Sequence, residues 1–236
     1  MAGMENQKSN SVPAAIVIAG LIIAGAIYLK TPSTPLATTP SAEKKFDQAA
    51  LVALAQAQPV DATKLQACLA ARPAKDLIAA QADEAVKLGA QGTPFSIVVT
   101  ASGKTTVIPG ALSFQDLQPL LEAAIADKLA SSTLVTLPAA ITPLSQKDHL
   151  NGNPNAPVKI IEYSDLECPF CKEFHETMLQ VMREYGAEGQ VAWVYRHFPL
   201  TKHPQAEPDA EAAECVASLG GETAFWDFIT KVFSAH

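Results

Sequence analysis

Cys168-Pro169-Phe170-Cys171 is the tetrapeptide with the most chemistry in this 236-residue chain. Two residues between cysteines let both sulfurs meet across a single helical turn. If a helix begins there, the first sulfur faces unpaired amides and the positive end of the helix dipole, which stabilises its thiolate. Pro169 suits the first helical position, where no amide hydrogen is needed. A stabilised thiolate is a good leaving group and favours the reduced pair, so such a dithiol tends to act as an oxidant. Two other uses stay open: half of a zinc site, or an inert disulfide. Zinc needs further ligands at metal spacing. His175 lies on the same helix face, but no second Cys-x-x-Cys accompanies it. The expectation is redox chemistry with no metal and no organic cofactor.

The elements that must hold this dithiol can be read around it. Val158–Tyr163 is a β-branched run that predicts a strand. The helix opened by Cys168 carries Phe174, Met178, Met182 and Tyr185, and Val191–Tyr195 predicts a second strand. Strand, helix and strand imply a parallel pair with a right-handed crossover. Two helices, about 206–219 and 222–234, finish the chain. Earlier, Phe46, Ala50 and Leu54 form one helical stripe, Asp61 can cap a second helix, and Pro73 opens a third that stops at Gly89. Phe95–Thr100 and Thr105–Ile108 then predict a hairpin, and Ser113 opens a helix that Pro119 should kink. Residues 130–156, rich in Pro, Gly, Ser and Asn, read as a linker.

The amino terminus raises the question of compartment. Val12–Leu29 is uncharged, has no polar face, and is long enough to span a bilayer. Lys8 and Lys30 bracket it without fixing an orientation. An uncleaved anchor is the expectation, with a cleaved signal peptide ending near Ala24-Gly25-Ala26 as its rival. Nine of the twelve residues from Thr31 to Ala42 are Pro, Ser or Thr, which makes a semi-rigid tether. Hydrophobic residues at 48% and charged residues at 17% exclude a disordered chain. The net charge of −7 and the lack of any Lys/Arg cluster speak against nucleic acid.

Beyond the dithiol, longer stretches carry a resemblance. Ile161–His175, Arg196–Leu200 with His203-Pro204, and Ala212–Val216 resemble the active-site region of the DsbA-type thiol–disulfide oxidoreductases of the thioredoxin superfamily. Ala90–Val98 is similar to that family's cis-proline loop and following strand. The resemblance covers about 46–129 and 148–236. It implies a thioredoxin-like α/β fold with a helical insertion, Cys168 as nucleophile and Cys171 as resolving thiol. It also implies a cis peptide at Thr93-Pro94 beside the sulfurs, and Pro169 and Phe170 in the active-site loop. Glu162, Asp165 and His175 are candidates for a proton relay, each with a blander reading as a solvated or packed side chain.

The order of the parts departs from the family. There the Cys-x-x-Cys half comes first and the cis-proline half last, whereas here Pro94 precedes Cys168. Neither half could be a stable domain alone, since each exposes a sheet edge and lacks half its core. The expectation is a circular permutation. It gives an anchor or signal at 1–30, a tether at 31–45, and one domain at 46–236. Within that domain, 46–129 is the family's second half, 130–156 the joining linker, and 157–236 its first half. A dimer that exchanges halves is the rival to the expected monomer. The permuted order also brings Cys68 and Cys215 into one helical subdomain, as a structural disulfide or as two buried thiols.

The function expected is a membrane-tethered, extracytoplasmic dithiol oxidase acting on exported proteins with reduced cysteines. A quinone-linked membrane partner, implied by the family alone, would reoxidise it. A reductase or isomerase using the same dithiol, or a non-catalytic binding module, are the alternatives.

Overall fold

Five strands and six helices build the part of the chain that the computed structural model describes, residues 48–236. The run Val12–Leu29 and the tether lie outside those residues. Among the described residues, no helix is long and apolar enough to cross a membrane.

The amino-terminal helices are α1 (Gln48–Gln56), α2 (Ala62–Ala71) and α3 (Lys75–Lys87). Asp61 caps α2 by accepting from the Lys64 amide. Gly89 follows α3 with φ of +98°, a conformation that glycine adopts without strain. β1 (Phe95–Val99) and β2 (Thr105–Ile108) form the antiparallel hairpin, closed by a Thr100 amide bond to the Lys104 carbonyl. α4 (Phe114–Ile125) starts at Ser113, which accepts from the Asp116 amide, and it contains Pro119 without interruption of the assigned helix.

The dithiol half follows: β3 (His149–Gly152), β4 (Val158–Ser164), α5 (Pro169–Val181), β5 (Val191–His197) and α6 (Ala206–Ala235). α5 ends in a π turn over Met182–Gly186. α6 is broken at Gly221 (φ 77°, ψ −174°), which divides it into the two helices expected over about 206–219 and 222–234. The sheet order is β2-β1-β4-β5-β3. β4 and β5 run parallel at its centre, and β1 joins β4 antiparallel with Ile97 opposite Ile161.

β3 is a difference from the sequence reading, because it lies inside the segment taken as linker. His-Leu-Asn-Gly has almost no intrinsic strand preference. Its pairing with β5, His149 opposite Tyr195, supplies the ladder that the local sequence does not announce.

The hairpin and the dithiol half therefore share one sheet within one chain. The described residues form a single compact unit. Alternation along the strands divides the core in two. Val98, Ile160 and Trp193 face a large cluster with Leu65, Leu121, Phe174 and Phe228. Ile97, Ile161 and Val194 face a smaller one with Leu88 and Phe198. Both central strands are buried on both faces, as a covered parallel pair requires.

Candidate active site

The path to the site starts in β4, whose last residue, Ser164, ends the pairing with β5 opposite His197. The chain then turns through Asp165, Leu166 and Glu167 and enters α5. Cys168 is the residue that caps this helix, in extended conformation, with Pro169 at the first helical position. Both sulfurs are free thiols and both residues are buried; Cys168 is only 3% exposed. Phe170, between them, is 60% exposed, so the loop presents an apolar side chain to solvent next to a nearly covered nucleophile.

The Thr93–Pro94 peptide is cis, and the Cys168 Sγ lies 3.6 Å from the Thr93 carbonyl oxygen. The two segments whose chain order departs from the family are thus brought side by side.

The thiols differ in electrostatics. The hydrogen bond from the Cys171 thiol is the largest influence on Cys168. Burial opposes it, and bonds from Thr93 and from the first amides of α5 add to it, holding Cys168 down at about 5. Burial, then the neighbouring Cys168 and the charge on Glu162, push Cys171 well above the ordinary thiol range. The Asp165 amide donates to the Cys171 sulfur at 3.4 Å. One sulfur is therefore a thiolate at neutral pH, and the other keeps its proton.

The three relay candidates sit in different surroundings, and Glu162 is set within the sheet. It is fully buried in β4, accepts from Trp193 Nε1 at 2.9 Å, and is raised to about 7 by burial. Asp165 is also buried, but its carboxylate is engaged by the Glu167 and Leu200 amides and by His203 Nδ1, each at 2.8 Å. Its side chain ties the dithiol turn to the segment after β5. His175 pairs with Thr230 at 2.9 Å and packs against Trp193 and Phe233. Burial lowers it to about 4, so it is neutral near pH 7. Its hydrogen-bond partner is the second half of α6 rather than a sulfur.

The other cysteine pair is bonded: Cys68 in α2 and Cys215 in α6 form a disulfide with an S–S length of 2.07 Å. It sits in the helical layer beside an ion pair between Arg72 and Glu207. Sequence reasoning missed two polar groups. Buried Arg196 bonds Asp148, Glu84, Tyr163 and the Thr142 carbonyl, fastening 142–148 to the sheet. His149, His197 and Glu214 meet on the face of β5 that packs on α6. Their spacing in the chain carries no local signal for either group.

Two family models match the chain, one described as a DSBA-like thioredoxin domain over residues 38–122 and one described as thioredoxin over residues 144–236. The Na(+)/H(+) antiporter NhaA 3 of Salinispora tropica is 38% identical over 99 residues, covering 42% of this chain and 14% of the antiporter. A probable disulfide bond formation protein D of Bacillus anthracis is 28% identical over 86 residues, covering 36% of this chain and 39% of that protein. The chain thus spans well under half the length of either relative. Among solved structures, α-DsbA1 of Wolbachia pipientis is 31% identical, with 39% of this chain and 43% of that chain covered and a TM-score of 0.33. Family matches on both halves, around a free dithiol at a helix start, suggest thiol–disulfide oxidoreductase activity in general terms. Both halves of the chain are thus similar to DsbA-type proteins of the thioredoxin superfamily.

Proposed function

We propose that this protein is a dithiol oxidase that introduces disulfides into exported proteins. The observation that carries this reading is the asymmetry of the pair: a Cys168 thiolate stabilised to about 5 at the start of α5, above a Cys171 that keeps its proton. Stabilising the reduced form makes the disulfide form a stronger oxidant.

In the reaction, a substrate thiolate attacks Cys168 Sγ of the Cys168–Cys171 disulfide. A sulfur–sulfur bond forms to substrate, the Cys168–Cys171 bond breaks, and Cys171 leaves as a thiolate that takes up a proton. Glu162, near half-protonated at neutral pH and electrostatically coupled to Cys171, supplies that proton. The substrate's second thiolate then attacks its own bridged sulfur and expels Cys168 as the stabilised thiolate. Two electrons have moved from substrate to enzyme. A quinone-linked membrane partner would remove them and restore the disulfide.

The same reading places residues 1–30 as a membrane anchor and 31–45 as a tether, with the catalytic domain outside the cytoplasm. Oxidising surroundings suit a bonded Cys68–Cys215 pair. It also takes the domain as a circular permutation of the family order. The DSBA-like match precedes the thioredoxin match, and β1 and β4 are neighbours in one sheet, as the permuted order requires. Permutation and exchange are separated by light scattering of the full chain.

The deciding measurement for direction is the reduction potential of Cys168–Cys171. An oxidase sits well above about −200 mV, whereas a value near about −270 mV makes the protein a reductase.

A further inference from the structure

A second cluster of chemistry-bearing side chains lies apart from the dithiol, where β3, β5 and α6 meet. His149 stands opposite Tyr195 in the β3–β5 ladder, and His197 is two residues further along β5. The two-residue period of a strand places His149, Tyr195 and His197 on one face. That face packs on α6, which delivers Glu214 between the two imidazoles. Nε2 of His149 and Nε2 of His197 each lie 3.1 Å from the same oxygen, Glu214 Oε1. One ligand atom from each residue lies within 4.8 Å of the other two. Both histidines are buried.

The arrangement has the parts of a metal centre. A tetrahedral zinc ion with bonds of about 2.0–2.1 Å separates its ligand atoms by about 3.4 Å, close to the distances here. The far nitrogen of His149, Nδ1, lies 3.0 Å from Glu222 Oε1, the carboxylate-to-histidine contact that orients metal-bound imidazoles. Phe225 stacks on the same ring at 3.4 Å between centroids and fixes its plane. A cavity of about 390 Å³ opens onto the cluster, lined by Ala74, Leu77, Lys147, His149, Glu214 and Glu222.

With a metal on Nε2 of His149, Nδ1–H would donate to Glu222 and Glu214 would serve as ligand.

We propose that His149, His197 and Glu214 bind a divalent transition-metal ion of the zinc type, with its fourth position open to the cavity for water or an added ligand. Two imidazoles and one carboxylate suit zinc and the neighbouring divalent metals, and disfavour calcium and magnesium, which take oxygen ligands. The ion would clamp the edge strand β3 to β5 and to the helix carrying Cys215.

The test uses the purified full-length chain with Cys168–Cys171 oxidised, so that no thiolate is free to hold metal. After stripping with chelator and dialysis against zinc, about one equivalent per chain should remain. Cobalt substitution should give visible bands of a four-coordinate nitrogen and oxygen site, without thiolate-to-cobalt charge transfer. Glu214→Gln and His197→Gln should lose the equivalent, and Glu222→Gln should weaken it about tenfold or more. The cobalt spectrum of the unmutated chain keeps the test decisive if a variant fails to fold. No retained zinc in the oxidised chain overturns the proposal. So does zinc bound only after reduction, with thiolate charge transfer in the cobalt form.

Discussion

Four cysteines in one small domain make two pairs of opposite character. Cys168 and Cys171 are three residues apart, free, and set at the first turn of α5. Cys68 and Cys215 are 147 residues apart, bonded, and set inside α2 and α6. Burial does not separate them, since Cys168, Cys171 and Cys215 are all buried. The difference is the backbone around each sulfur. At a helix start the amides are unpaired and can bond a thiolate, whereas inside a helix they are already committed to carbonyls one turn back. Place in the secondary structure, more than solvent access, makes one pair reactive and the other a staple.

The comparison breaks most visibly by mutation. Cys168→Ser should take oxidation of a reduced dithiol peptide down to the uncatalysed background while the chain stays folded with its Cys68–Cys215 bond intact. Replacing Cys68 and Cys215 together by Ala should do the reverse. Closing a loop of 147 residues restricts the unfolded chain, so its loss should cost about 3–5 kcal/mol in denaturant unfolding. Peptide oxidation well below the midpoint should remain. If the double variant loses activity while still folded, the staple also positions the site.

A pH experiment sharpens the same contrast. Cys168 is depressed to about 5 in the folded, reduced protein, against an ordinary thiol value of 9.0. The folded state therefore releases its proton over a range where the unfolded state still holds it. The resulting stabilisation of the reduced form is complete above about 9 and is lost as pH falls through about 5. The stability of the reduced protein relative to the oxidised protein should rise across that window. The rate of Cys168 alkylation, corrected for the reagent, should titrate with a midpoint near 5. A midpoint near 9 would remove the basis for an oxidant.

The free cysteine pair at a helix start was legible in the sequence because its determinants are local: spacing, a proline at the right position, a strand before and a helical period after. The hairpin and the caps at Asp61 and Ser113 were legible for the same reason. β3 was not, because His149–Gly152 becomes a strand only through its ladder to β5. Arg196 and the His149–His197–Glu214 group were invisible for a related cause. Their partners come from segments that only the finished sheet brings together. The long cysteine pair lies between these cases, since its proximity was expected from the proposed permutation rather than from any local pattern. For His175, helical spacing placed it on the dithiol face, but only packing revealed Thr230 as its partner.

The smallest effect concerns what lies beneath the dithiol. Glu162 is raised to about 7 by burial, so the native state retains a proton that the unfolded chain has already released above about 4.5. Stability of the oxidised protein should therefore decline from about pH 4.5 to 7, and Glu162→Gln, which cannot ionise, should remove that slope. The kinetic consequence has a distinct signature. Reoxidation of the reduced pair needs a base for the Cys171 proton; below pH 6 the wild-type side chain is mostly protonated and cannot serve, so the two reduced proteins should be reoxidised at similar rates. Above pH 7 the wild-type carboxylate can take the Cys171 proton and the amide cannot. Reoxidation of the reduced variant should then lag by about tenfold or more. A lag that is constant across the whole pH range would instead make Glu162 a structural partner of Trp193, and proton movement at Cys171 would have to be assigned to solvent.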